Sequence, residues 1–86
     1  MRVKIHSIGN ALHPSERIVE VDTADGKERL IVDKRSIENS SLSIGSPISR
    51  KGDFWLVELP RETVTGSWRV WVKSTHLLED SKVRAA

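Results

Sequence analysis

At 86 residues the chain has room for one domain with a thin core, so most of its apolar side chains must be used to build it. Its 14 Lys and Arg stand against 12 Asp and Glu, and the formal charge of +2 is interspersed, with no block demanding a nucleic-acid partner. With no cysteine, disulfides, thiolate metal sites and a thiol nucleophile are excluded, and a reducing compartment fits.

Residues 2–7 alternate, with Val3 and Ile5 on one face and Arg2, Lys4 and His6 on the other, which predicts a half-buried first strand. Residues 10–16, with Pro14, read as a loop. Residues 17–33 form the clearest hairpin, because Asp25-Gly26 between two β-branched runs suits a two-residue type I′ turn. In that register Val21 faces Leu30, Val19 faces Val32 and Asp22 meets Arg29, and the four apolar residues share a core face. Residues 34–45 are polar, with Ile37, Leu42 and Ile44 spaced through them. A short helical turn near residues 35–39 is compatible, but the serines, Asn39 and Gly45 argue against anything long. A short strand is expected over residues 46–50 and a turn at Lys51-Gly52-Asp53.

A second hairpin follows, with strands at residues 54–59 and 68–73. Pairing Leu59 with Trp68 sets Val57 against Val70 and Trp55 against Val72, an all-apolar core face. The other face pairs Glu58 with Arg69, Leu56 with Trp71 and Phe54 with Lys73. Residues 74–78 read as a short turn of 3₁₀ type with a leucine plugging the core, and residues 79–86 as a charged, disordered tail. No internal repeat is legible. The expected core is Val3, Ile5, Val19, Val21, Leu30, Val32, Trp55, Val57, Leu59, Trp68, Val70 and Val72.

Gly52-Asp53-Phe54-Trp55-Leu56-Val57 resembles the Gly-Asp-Trp-Trp-Leu stretch of SH3 and bacterial SH3-like domains. Gly66, followed by Trp71-Val72-Lys73-Ser74-Thr75-His76-Leu77, resembles their Gly-Trp/Tyr-Val-Pro-Ser-x-Tyr-Leu ending. The resemblance spans residues 52–77 and does not extend to the N-terminal half, which lacks the aromatic motif of peptide-binding SH3 domains. It implies an SH3-like barrel. Phe54 falls where the family has its ligand-contacting Trp, His76 where it has a ligand-contacting Tyr, and Lys73 where a Pro lines the groove.

The fold expected is therefore all-β, a small SH3-like barrel of five or six antiparallel strands over residues 1–78. Phe54, Leu56 and Trp71 make an outward apolar patch flanked by Arg69, Lys73 and His76. These six residues are the candidate partner-binding site, unless residues 34–46 or the tail cover them. Arg50, Lys51, Arg61, Arg69 and Lys73 with the aromatics also match the charge-plus-stacking recipe for single-stranded nucleic acid. His6, His13 and His76 show no metal-ligand spacing, no serine sits in a nucleophile elbow, and no phosphate loop is present. The expected function is non-catalytic protein or peptide binding without a cofactor, with nucleic-acid binding and homo-oligomerisation as alternatives. No run approaches the ~20 apolar residues of a membrane span, and residues 1–9 lack a signal peptide's apolar stretch, so no membrane partner and a cytoplasmic location are expected.

Overall fold

A computed structural model describes residues 1–79. Within them the protein is all-β, with two single-turn 3₁₀ segments and no α-helix. Of the expected tail, residues 80–86 lie outside the described residues.

The strands are β1 (Arg2–Lys4), β2 (His6–Asn10), β3 (Glu16–Thr23), β4 (Gly26–Asp33), β5 (Ile37–Glu38), β6 (Ser41–Ser43), β7 (Ser49–Lys51), β8 (Phe54–Glu58), β9 (Arg69–Lys73) and β10 (Leu77–Leu78). They form three antiparallel sheets, ordered β10-β1-β6-β5, β2-β3-β4 and β7-β8-β9, and barrel closure is not seen. More strands are present than the five or six expected because the chain changes sheets abruptly. The expected first strand breaks at Ile5, whose amide leaves the ladder and donates to Ser40 O at 2.9 Å.

The order of elements repeats. β1 to β5 and β6 to β10 each run strand, three-stranded meander, 3₁₀ turn (Lys34–Ser36 or Ser74–His76), short strand. The long-range hydrogen bonds repeat as well. Ile5 N donates to Ser40 O (2.9 Å) and Ile44 N to Met1 O (2.8 Å), while Lys34 N donates to Ser15 O and Ser74 N to Asp53 O, both at 2.8 Å. Cross-strand ion pairs occupy matching places, Arg29–Glu20 at 3.2 Å and Arg69–Glu58 at 3.3 Å. Val3 and Leu42, both fully buried, face each other where β1 pairs with β6, so a local two-fold relates the halves at the centre of the shared sheet. This corrects the reading that no repeat exists. Unequal connections conceal it: residues 11–15 correspond to 52–53, and 24–25 to 59–68, so no fixed period survives.

The alternation of each meander turns Val19, Val21, Leu30 and Val32 inward from one half and Val57, Leu59, Val70 and Val72 from the other, onto Val3, Ile5, Leu42 and Ile44. Leu42 and Ile44, absent from the expected core, belong to it because pairing with β1 places the serine-rich strand β6 inside. Trp55 packs on the core only partly buried. Trp68, also expected inside, is 51% exposed. The β8–β9 ladder ends at Glu58–Arg69, and although Leu59 N still donates to Trp68 O (2.8 Å), Trp68 lies past the last rung.

The second hairpin has the expected register at every rung from Phe54–Lys73 to Glu58–Arg69. The first is shifted by two residues: Thr23 pairs with Gly26, Val19 with Leu30 and Glu20 with Arg29. The turn residues are Ala24 and Asp25. Thr23 closes the turn by donating through Oγ1 to Gly26 O (2.7 Å) and accepting from Asp25 N (3.2 Å). Of the type I′ pair Asp25-Gly26 only Gly26 has a positive φ, +118°. A shift of two leaves every side chain on its face, so the core membership survives the wrong register.

The expected strand at 46–50 is displaced to β7, and Gly52-Asp53 makes the tight β7–β8 turn with Gly52 at φ +60°. Between β5 and β6, Asn39 and Ser40 both adopt positive φ, 51° and 56°. Asn tolerates this region, whereas Ser bears a cost of about 1–2 kcal/mol. Ser40→Gly removes that strain but gains about 0.4–1 kcal/mol of unfolded-chain freedom. A net stabilisation of up to about 1 kcal/mol is expected in urea melts, and a destabilised variant would contradict the assignment.

The turn after β4 is capped by Asp33, whose Oδ1 accepts from Arg35 N at 2.8 Å while Oδ2 meets Arg35 Nη2 at 3.2 Å. The Arg35 side-chain hydrogen bond, with its backbone bond, holds the Asp33 carboxyl below its ordinary value. Because the folded-state value is the lower one, this contribution is present above the unfolded carboxylate pKa and is lost as pH falls through the folded one. Asp33→Asn should therefore shallow the acid limb of the stability curve, measured by urea melts from pH 6 to pH 2.

Candidate functional site

Alternation in β8 and β9 sends Phe54, Leu56 and Glu58, and Arg69, Trp71 and Lys73, to the outer face of the β7-β8-β9 sheet. Phe54, Leu56 and Trp71 are each half-buried. The segment against them is the β3–β4 turn of the other half: Ala24 N donates to Trp71 O at 2.9 Å. That contact caps the free edge of β9, which would otherwise offer unpaired backbone groups. The reciprocal contact, Val64 N to Arg29 O at 2.8 Å, caps the edge of β4.

Where the turn meets β9, a hollow of about 440 Å³ opens, lined by Ala24, Lys51, Gly52, Phe54 and Trp71. Phe54 and Ala24 also line a second hollow, with Asp22, Thr23, Lys73 and His76. Four of the six sequence-predicted residues, Phe54, Trp71, Lys73 and His76, thus line a groove made of two neighbouring hollows that share Phe54 and Ala24. His76 reaches it because the Ser74–His76 turn follows Lys73 directly, and the Ser74 amide is held by Asp53 O. Arg69 lies beyond Trp71, in a depression shared with Thr23, Asp25 and Glu28, and its Nε is 3.3 Å from Glu58 Oε2. Leu56 sits between Ser49 and Trp71 in the sheet, as apolar footing rather than groove wall.

The groove carries positive charge at both ends. Neither Lys51 nor Lys73 has an ion-pair partner among the described residues. Asp22 supplies the acceptor: its Oδ2 is 3.6 Å from His6 Nε2, while its Oδ1 is buried with no hydrogen-bond partner. Asp22, Thr23 and Ala24 were missed by sequence reasoning because only the packing of one half on the other brings them to β9.

The remaining basic residues disperse. Arg50 lies over the Trp55 ring, 5.1 Å from its centroid, and Arg61 pairs with Glu16 at 3.6 Å on the other half. A close serine–histidine contact, Ser15 Oγ to His13 Nδ1 at 2.6 Å, is exposed and spans Pro14. The same Nδ1 accepts Ser15 N at 3.2 Å, so the contact closes a loop. Among the described residues no group of three His, Asp or Glu is placed to hold a metal ion, and no helix is long and apolar enough to cross a membrane. In comparisons with known proteins, no family model, no curated protein and no solved structure matches this chain.

Proposed function

We propose that the chain is a non-catalytic binding module that takes an extended protein segment in the groove between Phe54 and Trp71. The observation that carries this reading is the groove itself: two aromatic side chains half-open to solvent, Lys51 and Lys73 without an ion-pair partner among the described residues, and a partly exposed Asp22 carboxylate. An apolar side chain of the ligand would fill the Phe54–Trp71 hollow, where desolvation of aromatic surface supplies most of the affinity. An acidic neighbour would meet Lys51 or Lys73, and a ligand N–H would donate to the partly exposed Asp22 carboxylate.

The resemblance to SH3-like domains enters this proposal in the same sense. It is supported by a three-stranded meander, a 3₁₀ turn at Ser74–His76 and a short last strand that pairs with β1. Its aromatic and proline positions are filled by Phe54, His76 and Lys73, so the preferred ligand differs from a proline-rich helix: apolar, acidic and extended.

The test is a panel of immobilised decapeptides, each with one Leu, Phe or Trp flanked by Asp or Glu, beside lysine-flanked copies and single-stranded oligonucleotides. Capture of the acidic set over the lysine set is expected. Capture of oligonucleotides alone, steeply weakened between 50 and 200 mM salt, would replace the reading with nucleic-acid binding.

A further inference from the structure

We propose that the hollow of the opposite half, lined by Ile31, Arg61, Glu62, Thr63, Val64 and Trp68, is a self-association surface whose occupant is a second copy of this chain. Under the internal two-fold this hollow is the counterpart of the Trp71 groove. Ile31 holds the place on β4 that Trp71 holds on β9, and a loop of the opposite half lies against each.

The 59–68 connection builds it. Thr63, buried, accepts the Ser67 amide at Oγ1 (3.0 Å) while its own amide donates to Ser67 O (2.8 Å). This knots the loop and sets Val64 on the β4 edge with Trp68 beside it. Six large apolar side chains are exposed among the described residues, and three of them converge here: Ile31 at 36%, Trp68 at 51% and Val64 at 66%. Scattered single exposures are ordinary, whereas convergence marks an interface.

Charge selects the partner. Arg61 and Glu62, adjacent and both exposed, border the apolar surface with opposite signs. Across a two-fold axis Arg61 of one copy meets Glu62 of the other and the reverse, so the surface is its own complement. The Arg61 contact to Glu16, at 3.6 Å and with the arginine side chain 54% exposed, leaves guanidinium donors for that exchange. The Trp71 groove sets two lysines, Lys51 and Lys73, against one carboxylate, Asp22, so its charges do not balance across a two-fold axis. One half thus presents the surface for self-association and the other the groove for ligand, and a dimer presents two grooves.

Sedimentation velocity over a range of concentrations tests this. Wild type should move from the mass of one chain to the mass of two as concentration rises. Arg61→Glu and Glu62→Arg should each weaken association at least tenfold, and an equimolar mixture of the two variants should restore it, because both cross-axis pairs are then Glu against Arg. Trp68→Ser should stay monomeric, and Trp71→Ala should dimerise like wild type. Should Trp68→Ser fail to fold, by circular dichroism, the exposed charge variants carry the test alone. A wild type monomeric throughout, or a mixture no tighter than its components, would overturn the proposal.

Discussion

Leu42→Ala is expected to destabilise the protein by about 2–5 kcal/mol, a large share of the total stability of a domain this small. Leu42 is fully buried and faces Val3, also fully buried, where the two halves share the β1–β6 pair. The truncation removes side-chain burial worth about 1.5–3 kcal/mol and adds a cavity cost, since inward-facing valines of both meanders surround the site and cannot collapse into it. The position also distinguishes a shared core from two independent ones. If the halves fold as one unit, loss at Leu42 lowers the midpoint of a single cooperative transition, followed alike by the tryptophan signal and by backbone circular dichroism. A two-step melt would mean that the halves are separable. An effect below about 1 kcal/mol would mean that Leu42 is not central to the packing.

Trp71→Ala is expected to weaken ligand binding by about 2 kcal/mol or more, roughly thirtyfold, while leaving the fold intact. The side chain is half-buried on an outer face, and the core behind it is built by Val70 and Val72, which point the other way. The edge contact to Ala24 uses the Trp71 carbonyl, which the substitution keeps. The loss should therefore appear in affinity for the best acidic decapeptide, measured by isothermal titration, with a well-dispersed amide spectrum retained. Lys73→Glu should weaken the same peptide with a marked salt dependence, as expected for a charge at the rim. An undiminished affinity of folded Trp71→Ala would place the ligand elsewhere.

The second hairpin was legible in the sequence down to its register: alternation in residues 54–59 and 68–73 fixes the faces, with Val57, Val70 and Val72 inward and Phe54, Leu56 and Trp71 outward, and setting Leu59 against Trp68 gives the observed rungs. The first hairpin was legible in its faces and misjudged in its register. Asp25-Gly26 is a strong local cue, but the Thr23 hydroxyl and the Ala24–Trp71 bond, one local and one from the far half, close the turn one residue earlier. The pleat repeats every two residues, so burial was still read correctly.

Leu42 and Trp68 show the limits from opposite sides. A leucine in a serine-rich stretch becomes central because a distant strand covers it, and a tryptophan with core-facing parity becomes exposed because the sheet ends before it. The candidate site divides in the same way. Phe54, Trp71, Lys73 and His76 sit on one hairpin and its continuing turn, so alternation pointed to Phe54, Trp71 and Lys73, and the family resemblance to Phe54, Lys73 and His76. Asp22, Thr23 and Ala24 belong to the other half and enter only through the two-fold arrangement, which unequal loops hid from any search for a fixed period.

The most direct test of the central claim is a two-dimensional amide and indole NMR titration of the full chain with the best acidic decapeptide from the panel. The account predicts shifts confined to the Trp71 indole and to the amides of Asp22, Thr23, Ala24, Lys51, Gly52, Phe54, Lys73 and His76, with the Trp68 indole unmoved. Shifts centred on Trp68, or spread over neither hollow, would contradict it.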